Sequence, residues 1–328
     1  MATSAYDVIV IGAGHNGLVA AAYLAKAGRK VLVLERRDVA GGQLANESWG
    51  EGFGLDPLHA GGSLRPDIAR ELGLSPDGAN THASYVSLLP DGGRLALRAD
   101  AAAREAIRPY SARDAERWPE FVAFMDAAAG FLDAAYRTPM PRLPTPGLRH
   151  GLPLAQLAWK LRRLGRRDMF RVLRAVTMSA LELTEEWFES EVLRAAIAAV
   201  AIHGVTLGPM SAGTGYTLMH QWLNRGGLAQ RQRTGGSGQL AADLVAALKR
   251  HGGELRTGAG VQRVRIEGQR ARGVVLAGGE EIAARSVLAT ADPRHSLLDL
   301  VGAPELPPEF VWQAQSIKLR GSVAKLHW

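Results

Sequence analysis

The sequence predicts an α/β protein in two parts: a parallel-sheet domain, discontinuous along the chain, with a mainly helical domain inserted into it. Three observations carry that expectation. A strand–helix–strand unit lies between about residues 6 and 35, a helix-rich stretch runs from about 99 to 229, and short strands at meander spacing return after 258. The expected parts are 1–98 with 230–328, and 99–229 between them. At 328 residues the chain has room for about two domains. Its 47% hydrophobic and 22% charged content is ordinary globular material.

Val8 to Ile11 is a continuous apolar run, as a strand buried on both faces requires. Leu18 to Ala27 are strong helix formers, and Gly28 suits the position just past a helix end. Lys30 to Leu34 reads as a second buried strand, closed by Glu35. No crossover helix fits the glycine-punctuated residues 43–62, so a loop or hairpin is expected there, followed by a short helix over Arg65–Leu72.

Farther on, Asp114–Phe131 is amphipathic, with Trp118, Phe121, Val122 and Met125 on one side. The proline-rich 139–153 reads as a loop. Asp168 and Ser190 are candidate N-caps for helices over Met169–Ala180 and Glu191–Val200. Gly235 to Gly238 reads as a turn before a helix from Gln239 to Arg250. Strands are then expected at Val261–Glu267, Arg272–Leu276, Glu281–Ala284 and Val287–Thr290.

Gly12, Gly14 and Gly17 form G-x-G-x-x-G after a strand and at the opening of a helix. The first glycine permits a tight turn, the second lets backbone approach a pyrophosphate, and the third lets helix and strand pack closely. A helix N-terminus offers unpaired N–H groups to the phosphates. Glu35, 18 residues beyond Gly17, is placed to accept hydrogen bonds from an adenosine ribose and to repel a 2′-phosphate. Dinucleotide binding by a Rossmann-like domain follows, against the alternative of a ligand-free glycine turn.

An NAD domain would continue with a second crossover helix. This chain instead places Gly41-Gly42 six residues beyond Glu35. With that doublet, Asp7 to Gly42 (DVIVIGAGHNGLVAAAYLAKAGRKVLVLERRDVAGG) resembles the flavoprotein superfamily of phytoene desaturases and amine oxidases. LDPLHAGGSLRPDIARELGL (55–74), RTGGSGQLAADLVAAL (233–248) and GAGVQRVRIEGQRARGVVLAGGEEIAARSVLATADP (258–293) extend the resemblance. EEWFESEVLRAAIAA and GPMSAGTGYTLMH, within 185–220, are similar to the pyridine nucleotide-disulfide oxidoreductase domain-containing protein 2 subgroup.

The resemblance implies FAD as cofactor. It implies a site built from Gly12, Gly14, Asn16, Gly17, Glu35, Arg36, Gly41, Gly42, Gly61, Gly62 and Val261, the last touching adenine through its main chain. The implied function is an FAD-dependent oxidoreductase that moves a hydride from an apolar substrate to flavin N5. A flavin amine oxidase, or a non-catalytic binding protein like the related Rab GDP-dissociation inhibitors, are the alternatives. Gln43 stands where many relatives have Arg, and relatives run on beyond the position of Trp328, so the chain is expected to lack the C-terminal part.

No catalytic residue is assigned. His220, His59 and Asp56 are candidates to reach a flavin, each with a structural or solvated alternative, and His15 is expected to pack beside the phosphates. Cysteine is absent, which excludes disulfides, Cys-ligated metals and dithiol redox chemistry; no metal site is expected.

The net charge is +7, from 39 Lys and Arg against 32 Asp and Glu. Arg supplies 33 of the cations, a compositional bias rather than a nucleic-acid signature. The exception is 157–175, with Lys160, Arg162, Arg163, Arg166, Arg167, Arg171 and Arg174 against Asp168. Trp159, Leu161, Leu164 and Phe170 interleave these cations. A solvated helical face, a membrane-surface patch and a protein contact all remain open readings. No apolar run nears the ~20 residues a membrane span needs, and strand-like sequence from Tyr6 leaves no room for a leader. The expectation is a cytoplasmic protein, with membrane association as the variant.

Overall fold

The computed structural model describes residues 6–48, 50, 54–55, 64–74, 79–80, 85–98, 100, 102–139, 148–225, 227–228, 232–233 and 236–319. Among them, residues up to Ala79 and from Arg233 onward form one compact unit, and Asn80 to Gln232 form a second. The described residues of 80–98, placed by the sequence with the parallel sheet, group with the helices.

The first unit opens with β1 (Tyr6–Ile11), α1 (His15–Lys26) and β2 (Val31–Leu34). All four residues of β2 and the last three of β1 are buried, so continuous apolar runs were required. Gly28, at φ +77°, ends α1. Its N–H bonds to the Ala25 carbonyl and that of Arg29 to Leu24, the paired closure that a left-handed residue permits. Between 43 and 62 the described residues form a single 3-10 turn over Gly42–Leu44 and two-residue strands Glu47–Ser48 and Gly54–Leu55, with no crossover helix. α2 (Pro66–Glu71) follows.

The second unit holds the hairpin Tyr85–Leu88/Arg94–Leu97 and seven described helices: α3 (Ala102–Ile107), α4 (Ala112–Arg137), α5 (Leu148–Arg163), α6 (Gly165–Thr177), α7 (Ala180–Glu185), α8 (Glu191–Ala201) and α9 (Thr214–Arg225). Three of these differ from expectation. α4 starts earlier because the Ser111 hydroxyl accepts from the Asp114 N–H at 3.0 Å. α5 includes Pro153, so the loop expected over 139–153 is helix from Leu148 on. Strong helix formers through Arg163 outweigh the one N–H that a proline removes. α6 begins at Gly165, and Asp168 sits in its first turn, 3.6 Å from Arg171, rather than capping it. An acid is favourable at either place, so sequence alone does not separate them. The expected continuation to Ala180 fails because Ser179 starts α7, with a reciprocal capping box to Glu182. Ser190 caps α8 as expected.

The core of this unit is aromatic. Trp118 and Phe121 of α4 are fully buried with Trp222 of α9, and Phe121 meets Phe188 edge-on at 5.0 Å between centroids. Each such ring stabilises the unit by about 3 kcal/mol or less through burial alone.

The chain returns to the first unit through α10 (Gly236–Arg250), β3 (Glu254–Arg256), β4 (Val261–Glu267), β5 (Arg270–Leu276) and β6 (Glu281–Ala289). α10 starts three residues before Gln239. The Ser237 hydroxyl donates to the Leu44 carbonyl at 3.1 Å and the Gly238 N–H to Asn46 Oδ1 at 3.2 Å, so contacts distant in sequence draw the expected turn into the helix. β6 is one strand where two were expected. Its first half pairs antiparallel with β5, and from Ala284 it runs parallel to β1, so the interruption is a change of partner.

The sheet order is β4-β5-β6-β1-β2-β3. Val10, Val31 and Val33 pack with Leu18, Ala22 and Leu244 on one face, and Ile9, Leu32 and Leu34 pack with Val264 and Val274 on the other. A π-helical turn over His295–Gly302 and α11 (Pro308–Ser316) complete the described residues.

Candidate dinucleotide site

The bend from β1 into α1 rests on three glycines that do different work. Gly12 has φ +99°, and a Cβ there would stand 3.0 Å from Thr290 Oγ1. At Gly17 a Cβ would lie 2.0 Å from the Gly12 carbonyl oxygen, so helix and loop pack with no room for a side chain. Gly14 is the opposite: a Cβ there would meet nothing within 4 Å. Its ordinary φ of −70° sets no demand for glycine. The space it leaves open belongs to the site.

Gly14 is also the N-cap of α1, with no side-chain cap, so no side chain at the cap answers the first-turn N–H groups. The doublet lies against this bend. The Gly41 N–H donates to the Ala13 carbonyl at 2.7 Å, Gly41 forms a parallel bridge with Gly14, and a Cβ on Gly42 would come within 2.9 Å of Gly14 Cα. Both have positive φ, +122° and +56°.

Glu35 is only 6% exposed. Its carboxylate accepts from the Ala13 N–H at 2.9 Å and the Arg37 N–H at 3.0 Å. These bonds fix its orientation, and of roughly four lone-pair sites on a carboxylate they leave some for hydroxyl donors. The Ala259 N–H bonds to the Glu35 carbonyl at 2.8 Å, which brings the start of β4 beside β2.

These elements enclose a cavity of about 970 Å³. Gly12, Gly14, Asn16, Gly17, Glu35, Arg36, Gly42 and Val261 line it, together with His15 and Gln43. Gly41 stands behind the lining as the partner of Ala13 and Gly14. Gly61, Gly62, His59 and Asp56 lie outside the described residues.

His220 belongs to the second unit and does not line this cavity. Its Nδ1 is 2.7 Å from the Tyr136 hydroxyl and its Nε2 is 2.8 Å from the Asn224 amide nitrogen; burial holds its pKa below the usual histidine range. Tyr216 joins through the Tyr136 hydroxyl at 2.8 Å. Among the described residues no cluster of His, Asp and Glu is arranged to hold a metal.

Sequence reasoning missed Thr290, Ala291, Asp292 and His295, which also line the cavity. The Thr290 hydroxyl lies 3.0 Å from the Ile11 carbonyl and 3.2 Å from that of Gly12, where it can donate to either. What places them is a pairing distant in sequence. β6 is parallel to β1, and ligands in such sheets sit beyond the carboxyl ends of the strands, where Thr290 follows.

The site thus joins an open approach to main chain, uncapped helical N–H groups and a fixed carboxylate, which together suit a diphosphate and a ribose. A family model for flavin containing amine oxidoreductases matches residues 17–327. The rat pyridine nucleotide-disulfide oxidoreductase domain-containing protein 2 is 32% identical across 98% of this chain and 59% of its own length. A limonene dehydrogenase component from Castellaniella defragrans is 32% identical across 92% of the chain and 54% of its own length. A lycopene-forming phytoene desaturase of a Paracoccus species is 27% identical, across 91% and 57%. The chain therefore spans little more than half the length of these relatives. A crystal structure of a Pyrococcus furiosus protein shares the fold at TM-score 0.58 and 18% identity, covering 95% of this chain and 66% of the other.

Proposed function

The chain belongs to the flavin-containing amine oxidoreductase family, whose cofactor is FAD, and from that premise we propose that it is part of a dehydrogenase acting on an apolar small molecule. FAD, when bound, supplies the redox chemistry by accepting a hydride from a substrate C–H. The protein's share is binding, orientation and exclusion of water.

The observation that carries this reading is the open space at Gly14 beside the fixed carboxylate of Glu35. We assign the diphosphate to the main chain at Gly12, Gly14, Asn16 and Gly17, supported from behind by Gly41 and Gly42. Glu35 takes the ribose hydroxyls, and Arg36 and Val261 take the adenosine end. The second unit is assigned to the substrate. The apolar class is suggested by relatives named for limonene and phytoene.

We further read α5 and α6 as a contact with an anionic lipid surface. Leu152, Trp159, Phe170, Leu173 and Val176 are exposed there. Lys160, Arg162, Arg163 and Arg166 are exposed with no ion pair among the described residues, whereas Arg167 and Arg174 already pair with Glu120 and Glu186. No helix among the described residues is long and apolar enough to cross a membrane, so such a contact would be peripheral.

The test is colour. Purified protein reconstituted with FAD should retain flavin absorbance through gel filtration, and anaerobic addition of a polyene or terpene should bleach it. Bleaching by amines alone would replace the apolar substrate with an amine. Failure to retain flavin would refute the site assignment.

A further inference from the structure

We propose that Arg225 anchors the anionic group of a small ligand in the second unit, a carboxylate carried on an apolar body. This anchor is independent of the flavin cavity, none of whose lining residues belongs to the second unit.

Arg225 closes α9 and is only 6% exposed. Three charged side chains are buried among the described residues. Two of them, Glu35 and Asp114, each accept two main-chain N–H groups. Arg225 makes one hydrogen bond, from Nε to Gln221 Oε1 at 3.2 Å, and no ion pair among the described residues. A buried charge without a partner is costly, so burial alone would select an apolar residue here.

The guanidinium is held in place. The amide nitrogen of Gln221 donates to the His203 carbonyl at 3.0 Å, which turns its oxygen toward Arg225. The carbonyl end of α9 adds a favourable dipole, but neither feature answers the terminal nitrogens. Arg225 keeps 6% of its surface exposed, so the residue is not wholly sealed from the exterior.

Tyr85 lies near enough to interact electrostatically with Arg225. Burial pushes its phenol up, so it stays protonated at neutral pH and is not the missing counter-ion. It belongs, with Trp222 and Leu228, to the aromatic and aliphatic core of this unit. A planar fork of donors set in an aromatic and aliphatic unit fits a carboxylate on a hydrocarbon or aromatic frame better than a free phosphate.

Calorimetric titration of the full chain with benzoate, benzamide and inorganic phosphate tests this. Benzoate should bind more tightly than its neutral isostere by about tenfold, a ratio set by the charge alone. R225Q should reduce benzoate affinity to the benzamide level. Equal affinity of wild type for benzoate and benzamide overturns the anchor, and that comparison needs no variant to fold. Benzoate binding that survives in R225Q places the anion elsewhere. Phosphate binding as tight as benzoate overturns the ligand class.

Discussion

Gly14 and Gly17 are three residues apart and respond to substitution in opposite ways. Gly14→Val should fold, because its backbone is ordinary and its surroundings are open, and should lose FAD because the branched side chain occupies the approach to the main chain. In Gly17→Ala the new methyl meets the Gly12 carbonyl at 2.0 Å, so the variant should lose stability by about 1–3 kcal/mol or more. Thermal melts and flavin absorbance on the two variants separate the effects; equal melting temperatures would refute the packing role of Gly17. Glu35→Gln keeps the shape and removes the charge. It should weaken FAD binding by about 1.5 kcal/mol or more, since hydrogen bonds to charged groups exceed neutral ones. His220 answers to pH. Its folded pKa lies below the free value because burial disfavours the imidazolium, so the unfolded chain takes up the proton first. Stability is full above about pH 6.5 and falls as pH drops through the unfolded value toward the folded one. Denaturation between about pH 7 and 5 should show that slope, and His220→Gln should flatten it.

The βαβ opening was legible because its requirements are local. A strand buried on both faces needs an unbroken apolar run, and Val8–Ile11 and Val31–Leu34 supply it. The glycine spacing and Glu35 were legible for the same reason. Thr290 was not, because its place beside Gly12 depends on the pairing of β6 with β1 across most of the chain. Helix starts were least legible where two positions serve one physical need, as with Asp168, or where a distant contact decides, as with Ser237 and Asn46. The Ser179 box gives a measurable element: Ser179→Ala should cost about 1 kcal/mol through loss of the cap, whereas Asp168→Ala should cost only a few tenths. Equal losses in chemical denaturation would return the cap to Asp168. The α5–α6 pair carries a second prediction. Vesicles containing phosphatidylserine should sediment the protein and neutral vesicles should not. Trp159→Ser with Phe170→Ser should abolish that binding, as should reversal of Lys160 and Arg163 to Glu. Equal binding to both vesicle types would leave these helices a solvated face.

At the scale of the molecule, each unit owns its core. The aromatic cluster draws its buried residues from 95–228, and the two clusters flanking the sheet draw theirs from 9–74 and 244–300. A ligand that binds only the folded form stabilises the unit that holds it, by about 2.7 kcal/mol when present at a hundred times its dissociation constant. FAD and benzoate, on the assignments made above, act on different units. Calorimetric unfolding should therefore resolve two transitions, with FAD raising one and benzoate the other. Gly14→Val should abolish the first shift and leave the second, and R225Q should do the reverse. A single transition raised by both ligands would mean that the two cores melt as one, and the separation of cofactor unit from ligand unit would fall with it.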